Sequence, residues 1–186
     1  MIIGHLGVAL AARGYWRRAP LFWLLAASLA PDAWDSVLAV AGVCNPFGLY
    51  SHTGPAVALL AAIAGGFVFL LMGGGSVGRS AGLVAGVMVL VHSPLDYLTG
   101  NKLFWPGGEM HGLHLYERPV IDFALETSLL LGGWFTLRRD PRAPALATSW
   151  IALVLAIALQ GAADISPRKS LKMSACEGQA VVTPQP

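Results

Sequence analysis

His92 and Asp96 stand four residues apart inside an apolar run, residues 81–99, that is long enough to be a membrane helix. On a helix, positions i and i+4 share a face, so the imidazole and the carboxylate point the same way. Ionisable groups at membrane depth are costly and are normally kept for a function. The partners of this pair should therefore be found in the rest of the chain.

The composition agrees with a membrane setting. Of 186 residues, 55% are hydrophobic and 12% charged, about half of the roughly 25% charge of a soluble domain. The length suits one domain, residues 1–164, followed by a polar tail, 165–186, that has no periodicity and reads as disordered. A formal net charge of +2 is too small to indicate a nucleic-acid partner. Two cysteines, Cys44 and Cys176, lie far apart without metal-ligand spacing, which argues against a disulfide scaffold. The first basic residues, Arg13, Arg17 and Arg18, follow the N-terminal apolar stretch instead of preceding it. That order is wrong for a cleaved signal peptide, so Met1 is expected to start the mature protein.

The expected fold class is all-α, an integral membrane bundle of about five transmembrane helices plus a short N-terminal helix. The short helix, 2–12, is about half the length a bilayer requires. It reads either as an amphipathic anchor or as a half-inserted element. Spans are expected at 20–41, 55–72, 81–99, 120–137 and 145–163, the first interrupted at Pro31. Segment 42–54 is turn-rich, and a longer polar connection covers 100–119. Loops 13–19, 73–80 and 138–144 carry seven arginines, whereas 42–54 and 100–119 hold only Lys102 and Arg118. The positive-inside rule then makes the first set cytoplasmic.

With about 1.5 Å of rise per residue, this topology places most of Asp32, Asp35, His52, His92, Asp96, Asp122 and Glu126 in one layer in the outer half of the bilayer. His92 with Asp96 could be a structural His–carboxylate hydrogen bond on a bundle interior, and most of the others also have a plainer reading. Asp32 could cap the helix after Pro31, Asp35 could be interfacial, and His52 could be a solvated loop residue. Asp122 could complement a helix N-terminus, while Glu126 lies deep in an apolar run. His111 and His114, in the 100–119 connection, read either as surface residues or as a lid. A nitrogen and carboxylate set without thiols suits zinc, or manganese or iron, at an open site. A metal charge would also compensate several buried carboxylates.

The order of short motifs resembles a known family. Gly4-His5-Leu6 is followed by Pro31-Asp32, then Tyr50-Ser51-His52-Thr53, then His92-Ser-Pro-Leu-Asp96 with Trp105-Pro106 downstream, and Glu126 in the next span. This series, over residues 1 to about 137, resembles the membrane-bound metal-dependent hydrolases, also described as LexA-binding, inner-membrane-associated hydrolases. The resemblance implies a bacterial cytoplasmic (inner) membrane location. It makes His5, Asp32, His52, His92 and Asp96 the polar site, with Glu126 as an addition. Many members have Pro-Asp-x-Asp-His where this chain has Pro31-Asp-Ala-Trp-Asp35-Ser36. Many also have two histidines in the stretch where only His52 stands here. The chain therefore looks like a branch with fewer ligands.

The leading expectation is a metal-dependent hydrolase. His52, His92, Asp96 and Asp32 would hold the metal, His5 would complete or orient the site, and Asp35 or Glu126 would be the general base. A site opening within the bilayer favours an amphiphilic phosphoester or lipid-like substrate, with membrane lipids as neighbours. Two alternatives stay open: a proton or metal conduit, and a non-catalytic membrane scaffold.

Overall fold

The computed structural model describes residues 2–165. Seven α-helices carry nearly all regular structure among them: α1 (Ile3–Tyr15), α2 (Leu21–Ser28), α3 (Ala30–Val40), α4 (Gly54–Leu71), α5 (Gly75–Thr99), α6 (Pro119–Arg138) and α7 (Trp150–Ile165). Two paired dipeptides, β1 (Lys102–Leu103) and β2 (Met110–His111), form a small antiparallel hairpin between α5 and α6. The expectation of a disordered tail falls on residues outside those described.

The helical class agrees with expectation, but the count of spans does not. Three helices, α4, α5 and α6, are long and apolar enough to cross a membrane. The expected first span is two short helices of 8 and 11 residues, parted at Leu29. Pro31 explains the break. It has no N–H for the carbonyl of Ala27, and it disfavours helical backbone at the residue before it. The last helix, α7, has 16 residues, short of the roughly 20 that a bilayer core needs.

Leu59, Ile63, Phe67 and Leu70 on α4, and Leu83, Val87 and Leu90 on α5, are exposed. A contiguous apolar surface of this kind is unusual on a protein in water and ordinary in lipid. It gives the chain the character of a membrane protein.

Lipid offers little hydrophobic drive for helices to associate, so close backbone approach has to supply the packing. Glycines provide it. A Cβ on Gly133 of α6 would overlap the carbonyl of Gly7 in α1, and one on Gly7 would meet the backbone of Leu129 and Leu130. Gly65 and Gly82 face each other at the α4–α5 crossing in the same manner. As a result α1 is not an amphipathic anchor on the surface of the bundle. It lies inside the bundle with Ile3, His5, Ala9 and Leu10 buried, packed against α6, α2 and α5.

The two ends of the bundle differ as the loop charges suggest. At one end, Arg13 of α1 pairs with buried Asp140 after α6, at 2.6 Å. At the other, the Gly54 N–H donates to the Phe104 carbonyl at 2.8 Å, tying the turn before α4 to the hairpin. Cys44, in that second group of loops, has no free thiol, contrary to the inference from cysteine spacing.

Candidate metal centre

Four side chains from three parts of the chain meet near the hairpin end. Asp32, His52, His92 and Asp96 each offer a ligand atom, and these atoms all lie within 4.8 Å of one another. The helical repeat brings His92 and Asp96 together on α5, with Nε2 to Oδ2 at 3.5 Å. Pro94 lies between them and cannot donate to the carbonyl of Leu90, which loosens the helix beside the site. Asp32 stands in the first turn of α3, started by Pro31, where a carboxylate complements the helix N-terminus.

His52 is delivered by the turn at Pro46–Gly48. Gly48 has φ +74, and a Cβ there would meet His52 Nδ1 at 2.9 Å. The Gly48 carbonyl accepts the His52 backbone N–H at 2.7 Å. Only glycine satisfies both the backbone angle and the space under the ring.

The hydrogen bonds behind the two imidazoles fix what faces the centre. His92 Nδ1 lies 2.8 Å from the carbonyl of Ser28, which can only accept, so Nδ1 carries the proton. His52 Nδ1 is 2.6 Å from Ser51 Oγ, and that hydroxyl in turn donates to Asp35 Oδ1. The Ser51 oxygen therefore accepts from His52 Nδ1–H. In neutral rings both Nε2 lone pairs then point inward, and the two atoms are 3.3 Å apart. Zinc–nitrogen bonds of about 2.0–2.1 Å at a tetrahedral angle separate the nitrogens by about 3.3 Å. Asp96 Oδ2 lies 3.1 Å from His52 Nε2, and Asp32 Oδ1 lies 3.6 Å from it. Two facing lone pairs flanked by two carboxylates call for a cation. Consistently, burial disfavours a charged His52, but its hydrogen bonds to Asp32 and Asp96 outweigh that and raise its pKa above the ordinary value.

The other expected site residues divide into two places. His5 is at the edge of the cluster. Its ring stacks on His92 with centroids 3.9 Å apart, its Nε2 lies 3.3 Å from the His92 carbonyl, and Asp96 Oδ1 is 3.7 Å away. Asp35 is buried behind His52, 3.7 Å from Nδ1, and accepts from Ser51 and Asn45. Glu126 is elsewhere. It accepts from the Gly4 N–H at 3.3 Å and from Gln160 Nε2 at 3.2 Å, in a polar group shared by α1, α6 and α7. His111 lines an apolar groove with Tyr97 and Phe104, and exposed His114 lies 3.5 Å from Glu117.

Sequence reasoning missed three contributors. Ser51 and Asn45 support His52, and the only signal for them was their place in the turn around it. Lys102 was read as a loop residue, yet its Nζ lies 3.5 Å from Asp96 Oδ2. Its position six residues after Asp96 carries no helical signal, because the hairpin folds it back.

No family model, curated protein or solved structure significantly matches the chain.

Proposed function

We propose that this protein is a membrane-embedded, metal-dependent hydrolase acting on an amphiphilic substrate. The observation that carries the reading is the pair of inward-facing Nε2 atoms, each held from behind by an acceptor, between the carboxylates of Asp32 and Asp96. Metal-ligating histidines typically have such outer partners, which fix tautomer and ring orientation. A bound divalent ion, with zinc the first choice on this ligand set and manganese or iron next, would acidify a water and polarise a phosphoryl or carbonyl oxygen.

In this reading Asp35 orients His52 through Ser51, and His5 steadies His92 by stacking. Asp32 is 30% exposed and borders the approach to the centre. The amphiphilic substrate is supported by a groove of about 480 Å³ bounded by Gly54, Ser93, Pro94, Tyr97 and Phe104, next in sequence to His52 and His92. A cavity of about 520 Å³ along the α4–α5 crossing, bordered by Gly65, Gly82 and Arg79, runs toward the end of α5 opposite Asp96 and is a lipid-facing cleft in this account. The arginine-bearing loops support a centre in the outer half of the bilayer, and in this reading that bilayer is a bacterial inner membrane.

A conduit would need polar residues continuing through the bundle. Between the cluster and the Arg13–Asp140 pair at the other end, Ala9, Ala12, Ala85, Met88 and Val89 are buried together, and the buried Glu126–Gln160 group is shared by α1, α6 and α7. The hydrolase reading is tested by assaying zinc-loaded protein in detergent on phosphoester and carboxylester lipids, beside His52→Ala. Turnover by the wild type that the variant lacks is expected. Equal turnover by both would contradict it.

A further inference from the structure

Lys102 is the residue of the centre that a metal site does not need. Its ammonium lies 3.5 Å from Asp96 Oδ2, the oxygen that also faces His52 Nε2 at 3.1 Å and His92 Nε2 at 3.5 Å. It is placed there by the hairpin, where Lys102 pairs with His111 and Leu103 with Met110. Its side chain is 20% exposed and that of Asp32 is 30% exposed, whereas those of His52, His92 and Asp96 are at most 4% exposed. Asp32 and Lys102 are thus the side chains of this group that reach solvent most.

The charges here give Lys102 a role. Two carboxylates cancel a divalent ion held between them, so the ion removes the reason for an ammonium to stay on Asp96. Asp35 does not replace that partner, since it lies behind His52 with Ser51 and Asn45. The lysine would then be a cation on a flexible stem beside a neutralised centre, its carboxylate partner shared with the ion, and an added anionic group would pair with it. A neutral ester does not supply one. A phosphate group does: one oxygen reaches the metal and another accepts from the ammonium.

We propose that Lys102 and the metal centre together form a phosphate subsite, so that the substrate carries a phosphoester anion at the scissile group. This rests on the hydrolase reading and narrows it, because it excludes neutral carboxylesters. Phosphate could arrive on a lipid headgroup or on a soluble phosphoester, and the lysine meets the same chemistry in both.

The test uses full-length protein in detergent, loaded with zinc, with metal content measured alongside calorimetric titration of inorganic phosphate. Wild type, Lys102→Gln and Lys102→Arg should hold equal metal. Wild type and Lys102→Arg should bind phosphate, and Lys102→Gln should bind it roughly tenfold or more weakly, the scale of one charge-assisted hydrogen bond. Full metal with the same phosphate affinity in Lys102→Gln would overturn the subsite and leave the hydrolase reading standing. A wild type that holds no metal would overturn both. Displacement of phosphate by phosphatidic acid in mixed micelles, more tightly than by glycerol 3-phosphate, supports the subsite and assigns the lipid source. Equal displacement supports it with a soluble source. Displacement by neither overturns it.

Discussion

His52 Nε2 and His92 Nε2 stand 3.3 Å apart, each on a ring whose Nδ1 is already committed, one to Ser51 and one to the Ser28 carbonyl. Neither ring can turn away without leaving a buried polar atom unpaired. The pair is thus preorganised for a shared cation, either a metal or a proton held between rings and carboxylates.

Ser51 should matter for metal binding without touching the metal. Ser51→Ala removes the acceptor that holds His52 Nδ1–H and the link to Asp35. Metal affinity should fall on the order of 10–100-fold, as for other outer partners of ligand histidines. Chelator competition measures this, and an unchanged affinity would remove Asp35 and Ser51 from the account.

The pH dependence has opposite signs with and without metal. The carboxylates around His52 raise its pKa in the folded protein against the effect of burial. A raised value means that stability from this group is full below the ordinary imidazole range and is lost as pH rises through the folded value. Metal-free wild type should therefore lose stability relative to His52→Gln as pH rises from the ordinary imidazole range, about pH 6.5, through the raised folded value. Metal affinity should rise over the same window, because binding must expel the His52 proton. Thermal unfolding in detergent with chelator, and zinc titration at each pH, check the two signs.

Gly133→Ala should be severe, since the new Cβ would overlap the Gly7 carbonyl and push α1 off α6. A loss of about 1–3 kcal/mol or more is expected from overpacking. Gly66→Ala, with nothing within 4 Å of its Cβ position, should be neutral or slightly stabilising. Unfolding midpoints of both variants in one detergent decide this. Equal behaviour would mean that the glycine contact does not hold α1 in place.

Glu126→Gln should leave metal affinity within about twofold, since the hydrogen bonds of Glu126 go to Gly4 and Gln160 and to none of the four ligands. A large loss of affinity would join that group to the metal centre.

Much of the site was legible because helical spacing and membrane depth are sequence properties. His92 and Asp96 announced themselves by their i, i+4 spacing in an apolar run. Asp32 and His52 each had a plainer local reading, and it was their depth together with the family resemblance that joined them to the pair. Depth alone could not separate Glu126 from the cluster, because residues at one level of a bundle can face different neighbours. Glu126 faces Gly4 and Gln160. Asp35 was legible as polar and near, but its place behind His52 depends on how the 46–48 turn folds. The broken first span was visible as Pro31, yet its consequence for the span count was not drawn from hydropathy, which averages across the break. The burial of α1 depended on Gly7 meeting Gly133, a pairing between positions far apart in the chain.

The most direct test is elemental analysis of the full-length protein purified in detergent, with wild type beside His92→Ala and Asp96→Ala. The account predicts close to one divalent metal per wild-type chain and little in either variant, with all three remaining helical by circular dichroism. A wild type that takes up no metal under any loading condition would contradict it.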